Sequence, residues 1–135
     1  MLSINYFAVL AATVASFFIG ALWYMPFAFG PQSTALRGID PSTLPQGAPP
    51  LSTLALEFAR CLVAVVVLAI VISLVQPSGI VGALGLALLV WFGFQAVLLS
   101  GSVLHEGYPV GLWMIHSGDA LAKILAASAI LGVWR

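Results

Sequence analysis

The chain has 135 residues, of which 62% are hydrophobic and only 6% charged, and its four Lys and Arg balance its four Asp and Glu to a formal net charge of zero. Soluble domains carry roughly a quarter charged residues because their surface must face water, so eight such side chains cannot coat a soluble body of this length and the solvent must be lipid. With no Lys/Arg cluster, neither nucleic acid nor anionic headgroups are expected as a charge-driven partner. The single cysteine, Cys61, rules out an intrachain disulfide and any Cys-based metal centre, and reads as a small packing residue.

A hydrocarbon layer of about 30 Å takes roughly 20 apolar residues in helical form. Helices are required because lipid offers no partner to an unpaired backbone group. Four segments meet the length, at about 5–24, 54–75, 80–103 and 110–134. The expected fold is all-α: an integral membrane four-helix bundle, a single transmembrane domain over 1–135, with antiparallel neighbours and one long Pro-rich loop, 25–53, between the first and second helices. The first segment has no Lys or Arg before its apolar core and no convincing small-residue cleavage site, so it is read as a retained helix rather than a signal peptide.

That first helix carries an unbroken row of small residues at four-residue spacing, Ala8, Ala12, Ser16 and Gly20. In the loop, with Pro26, Pro31, Pro41, Pro45, Pro49 and Pro50, one short interfacial helix is expected from Pro31 to Gly38, Pro near its start and Gly at its end. The tight connections Gln76-Pro77-Ser78-Gly79 and His105 to Pro109 make helices two, three and four antiparallel neighbours. Further small-residue rows run through Gly79, Ala83 and Ala87 on the third helix and Gly118, Ala122 and Ala126 on the fourth. Close backbone approach at such rows is how helices associate in lipid. Either the bundle uses them internally, or one row serves self-association or docking onto a larger membrane complex. Tyr6, Trp23, Tyr24, Tyr108, Trp113 and Trp134 lie near helix ends, as an aromatic belt requires, whereas Trp91 falls mid-helix and reads as a packing or pocket residue. Arg37 and Arg60 against Arg135 give a one-charge lean towards cytoplasmic loops and outside termini.

Charges inside a membrane are expensive, about 2.5–3.5 kcal/mol each near the bilayer centre, and are functional candidates by default. There are four here, Glu57 and Arg60 on the second helix and Asp119 and Lys123 on the fourth, with His116 beside them. His116, Asp119 and Lys123 are three and four apart and share one stripe; Asp119 before Lys123 is the favourable order for an ion pair, and Glu57 can pair with Arg60. Counted from the loop side at about 1.5 Å per residue, Glu57 lies roughly 5 Å deep, Arg60 and His116 roughly 9 Å, Gln95 and Asp119 about 12–13 Å, and Trp91 and Lys123 about 18–19 Å. A single polar cleft between helices two, three and four would hold Glu57, Arg60, Trp91, Gln95, His116, Asp119 and Lys123, with His105 and Glu106 at its mouth. In a structural reading the charges are neutralised pairs that fix register, with Lys123 over the Trp91 ring. In a functional one the cleft binds a small ligand or passes protons. No metal, haem, acyl-transfer or phosphate-loop pattern is present, and no cofactor or enzymatic activity is expected; a membrane enzyme using His105, Glu106 and His116 is the weakest alternative.

Ile4-Asn5-Tyr6, then Gly20-Ala21-Leu22-Trp23-Tyr24 followed by Pro26 and Phe29-Gly30, open a pattern that continues through Trp91-Phe92-Gly93-Phe94, Glu106-Gly107-Tyr108-Pro109 and Leu131-Gly132-Val133-Trp134. Over nearly its whole length the chain resembles the bacterial domain-of-unknown-function family 1761. The resemblance implies a compact four-helix protein of the bacterial inner (plasma) membrane and brings no agreed activity. It makes Asn5, Trp23, Tyr24, Glu106 and Gly107 the shared positions, while Asp119 and Lys123 depart from its mainly uncharged or aromatic fourth helix. The leading functional expectation is action by association, as a homo-oligomer or an accessory subunit of a membrane complex. The alternative is a small transporter or ligand-binding protein using the cleft.

Overall fold

A computed structural model describes residues 2–45 and 47–135. Five helices account for the architecture: α1 (Tyr6–Trp23), the short α2 (Gly30–Leu36), α3 (Leu51–Val75), α4 (Gly79–Glu106) and α5 (Val110–Val133). All but α2 are long and apolar enough to cross a membrane. The interfacial helix falls within a residue or two of its expected place. α3 begins at Leu51, one turn earlier than the apolar count suggested, because Pro50 supplies a pre-set N-cap backbone. Glu57 and Arg60 therefore sit about one turn deeper than counted, near 9 and 14 Å from the helix start.

Each end has a local cause. The Asn5 side chain accepts from the Phe7 and Ala8 N–H groups at 3.0 and 3.2 Å and so caps α1. After α1 the chain turns back tightly enough that a Cβ on Gly30 would lie 2.3 Å from the Tyr24 carbonyl oxygen; only glycine fits. Asp40 caps a 3-10 turn, Pro41–Thr43, and the Ser42 N–H it accepts holds its carboxyl below the usual range. α4 closes on Gly107 at φ 75°, a left-handed cap that glycine adopts without strain.

α4 is not uniform. It is α-helical over Gly79–Trp91, π-helical over Phe92–Ala96, and turns at Ser100 before its last segment, Gly101–Glu106. The π bulge shifts the ladder by one residue, and the Trp113 indole of α5 donates to the Ala96 carbonyl at its end, at 2.8 Å.

The long helices run antiparallel, and α5 is the centre of the bundle. α1 packs most extensively on α5 and next on α3, while α4 packs on α5. Despite the tight turn between them, α3 and α4 share little surface, which corrects the expected contact between the second and third helices. A short connection fixes proximity at one end only; what fixes α4 is the fit of Gly132 against Ala83, where an added Cβ would come within 2.6 Å, and the indole bonds of Trp91 and Trp113. The core joins Ala8, Val9 and Ala12 of α1 to Val65, Leu68 and Ile72 of α3, Ala87 of α4 and Ile124, Ala127 and Leu131 of α5. The row Ala8, Ala12 and Ser16 is buried inside the chain, at 0%, 0% and 4% exposure.

Candidate functional site

Four charges meet at the junction of α1, α3 and α5. The Lys123 side chain leans towards the N-terminus of its own helix, as helical side chains do. This brings its Nζ 3.0 Å from Asp119 Oδ2, one turn earlier, and 3.9 Å from Glu57 Oε1 across the interface. Glu57 Oε2 in turn holds Arg60 at 2.6 Å. The result is an alternating string, Asp119, Lys123, Glu57, Arg60, neutral overall and increasingly open along its length: Asp119 is buried, Lys123 largely so, and the Arg60 side chain 78% exposed. Arg60 reaches back towards the loop side to meet Glu57, which draws its charged head outward.

The wall of this cluster comes from a residue the sequence suggested only for packing. A Cβ on Gly20 would lie 2.8 Å from both Cε and Nζ of Lys123 and 3.9 Å from Asp119 Oδ1. Gly20 is thus the gap in α1 that admits a lysine. One turn further, Tyr24 Oη and His116 Nδ1 are hydrogen-bonded at 2.7 Å, and the Trp23 indole donates to the Ile115 carbonyl at 3.0 Å while its ring lies against Gly118. His116, three residues before Asp119 on α5, and Tyr24 extend the polar side of α5 towards the loop side, with no hydrogen bond between His116 and Asp119 among the described residues. The part α1 plays was missed in sequence; the signal was that the small-residue row ends at Gly20, one turn before Trp23 and Tyr24.

Trp91 and Gln95 do not belong to this cluster. The Trp91 indole donates to the Ser117 carbonyl at 2.8 Å, and Trp113 reaches Ala96, so the Trp113 and Ser117 side of α5 faces α4. Asp119 is two residues past Ser117, about 200° around the helix at 3.6 residues per turn, and faces α1 and α3. The expected single cleft between the second, third and fourth helices is corrected on this point: α5 stands between its two halves. Lys123 likewise lies over Gly20 rather than over the Trp91 ring. Glu106 is exposed at the end of α4 and takes part in none of the ion pairs. Asn5 and Gly107 serve local structure, Asn5 as a cap and Gly107 as a left-handed turn.

Three buried polar atoms are left over: among the described residues Asp119 Oδ1, Gln95 Oε1 and Ser128 Oγ have no hydrogen-bond partner. A buried acceptor without a donor costs about 1–3 kcal/mol, more when charged. Asp119 Oδ1 faces Gly20 and thus the polar junction, so the cluster offers one free carboxylate oxygen to any donor that enters. Among the described residues no group of three metal-ligating side chains is present.

A family model for proteins of unknown function, DUF1761, matches residues 7–132, nearly the whole chain, and the chain belongs to that family. No curated protein and no solved structure matches it.

Proposed function

We propose that this DUF1761 member is a small membrane transporter or ligand-binding protein whose working group is Asp119, and that what Asp119 takes is a proton or a small hydrogen-bond-donating cation. The observation that carries this reading is the buried carboxylate with one oxygen on Lys123 and the other without a hydrogen-bond partner among the described residues. A pair kept only to fix helix register would satisfy both oxygens, since each unmet bond is destabilising. Lys123 supplies the counter-charge beside the carboxylate, Glu57 and Arg60 extend the string outward, and the His116–Tyr24 hydrogen bond offers a relay towards the loop side. The test is proton flux into proteoliposomes carrying a pH-sensitive dye, driven by a potassium diffusion potential, for the wild type and Asp119→Asn. Flux above protein-free vesicles that is lost in Asp119→Asn supports the proposal; equal flux in both overturns it.

Association is the second reading, and its support now comes from a different surface. The α1 row lies inside the bundle, whereas α4 packs along one side only and leaves Leu89, Phe92, Phe94 and Leu98 outward. Purification in a mild detergent at native expression tests it: a monodisperse monomer with no co-purifying protein would count decisively against it.

A further inference from the structure

The second polar feature of the loop side is Arg37. Of the four cations in the chain, Arg60 holds Glu57, Lys123 holds Asp119, and Arg135 is fixed on the Gly132 and Pro77 carbonyls. The exposed Arg37 side chain has neither an ion pair nor a hydrogen bond among the described residues. The nearest acid in sequence, Asp40, is turned onto the Ser42 N–H instead. Arg37 directly follows α2, which lies on the first turns of α5 and leaves an open groove of about 580 Å³ beside it. That groove is lined by Trp23, Phe29, Ala35, Leu36, Gly111, Met114 and Ile115 together with Gln32, and it is the size of a ligand site rather than a packing defect. Its floor is held in shape: the Trp23 and Phe29 rings pack with centroids 4.9 Å apart, and a Cβ on Gly111 would meet Leu36 at 3.3 Å.

A mainly apolar groove, with the exposed Arg37 next in the chain after its lining residue Leu36, matches one kind of molecule. We infer that the groove and Arg37 bind an anionic phospholipid of the loop-side leaflet, its acyl chain along Trp23, Phe29 and Met114 and its phosphate on the Arg37 guanidinium. The chemistry is complementary at both ends. The planar guanidinium takes a phosphate through paired N–H groups, and the aromatic lining suits a chain entering at headgroup depth. The net negative charge of the lipid is read at this single guanidinium rather than by a basic cluster, since no carboxylate pairs with Arg37 among the described residues. The groove lining includes neither Asp119 nor Lys123.

Native mass spectrometry of the detergent-purified protein, titrated with phosphatidylglycerol or phosphatidylcholine, reads the site directly. The wild type binds one phosphatidylglycerol in preference to phosphatidylcholine. Arg37→Gln loses about five-fold in that affinity, the effect of one interfacial charge; Arg37→Lys keeps most of it; and Ala35→Phe, which fills the groove, loses it with Arg37 intact. Circular dichroism matched to wild type shows that each variant is folded. Equal retention of the two lipids, an Arg37→Gln variant that binds as wild type does, or inorganic phosphate competing fully with the lipid would each overturn the inference.

Discussion

Lys123→Met isolates the energetic logic of the charged junction. The substitution keeps the length and apolar stem of the side chain and removes the ammonium. Glu57 is not stranded by it, because Arg60 remains at 2.6 Å. Asp119 is stranded: its side chain is 12% exposed, its Oδ2 loses the 3.0 Å bond to Nζ, and its Oδ1 has no partner to begin with. Removing one member of a buried pair costs about 3–5 kcal/mol, whereas replacing both members with apolar or neutral groups of similar size is often close to neutral. Reversible unfolding in mixed micelles should therefore place Lys123→Met about 3–5 kcal/mol below wild type and the double variant Asp119→Asn/Lys123→Met within about 1 kcal/mol of it. A single variant no less stable than the double would refute the reasoning, since it would mean that Asp119 is already neutral or solvated and owes nothing to Lys123. The double variant is also the control for flux, because it is expected to fold and to be inactive.

Other perturbations follow from the same geometry. Gly20→Ala places a methyl 2.8 Å from the end of the flexible Lys123 side chain, which can move, whereas Gly132→Ala meets the fixed Ala83 methyl at 2.6 Å and forces α4 from α5. The second should cost about 1–3 kcal/mol and the first clearly less, in the same unfolding assay; the reverse order would contradict the packing described. Trp91→Phe removes one hydrogen bond to the Ser117 carbonyl, which keeps its own helical partner, and should cost about 1 kcal/mol. Asn5→Ala, by uncapping α1, should cost about 1 kcal/mol, and Asn5→Asp should retain most of the stability. Gln76 ends α3 at φ 51°, so Gln76→Gly relieves a left-handed residue and should raise the unfolding midpoint by the equivalent of about 1 kcal/mol; an unchanged midpoint would show that the strain is offset elsewhere.

Much of this protein is fixed by composition and short-range pattern. Eight charges in 135 residues demand lipid, apolar runs of bilayer length demand helices, and Pro and Gly between them set the connections. The capping role of Asn5, the turn at Gly107 and the Asp119–Lys123 and Glu57–Arg60 pairs are all local, within four residues of their partners, and so could be anticipated from spacing alone. What spacing could not decide is which helix lies beside which. In lipid no helix face is forced inward by water, so the neighbours are chosen by shape: by where Gly132 admits Ala83, where Gly118 admits Trp23 and where Gly20 admits Lys123. Those fits make α5 the centre, draw α1 rather than α4 to the charged stripe, and turn a cleft expected among the last three helices into two separate sites on opposite sides of α5.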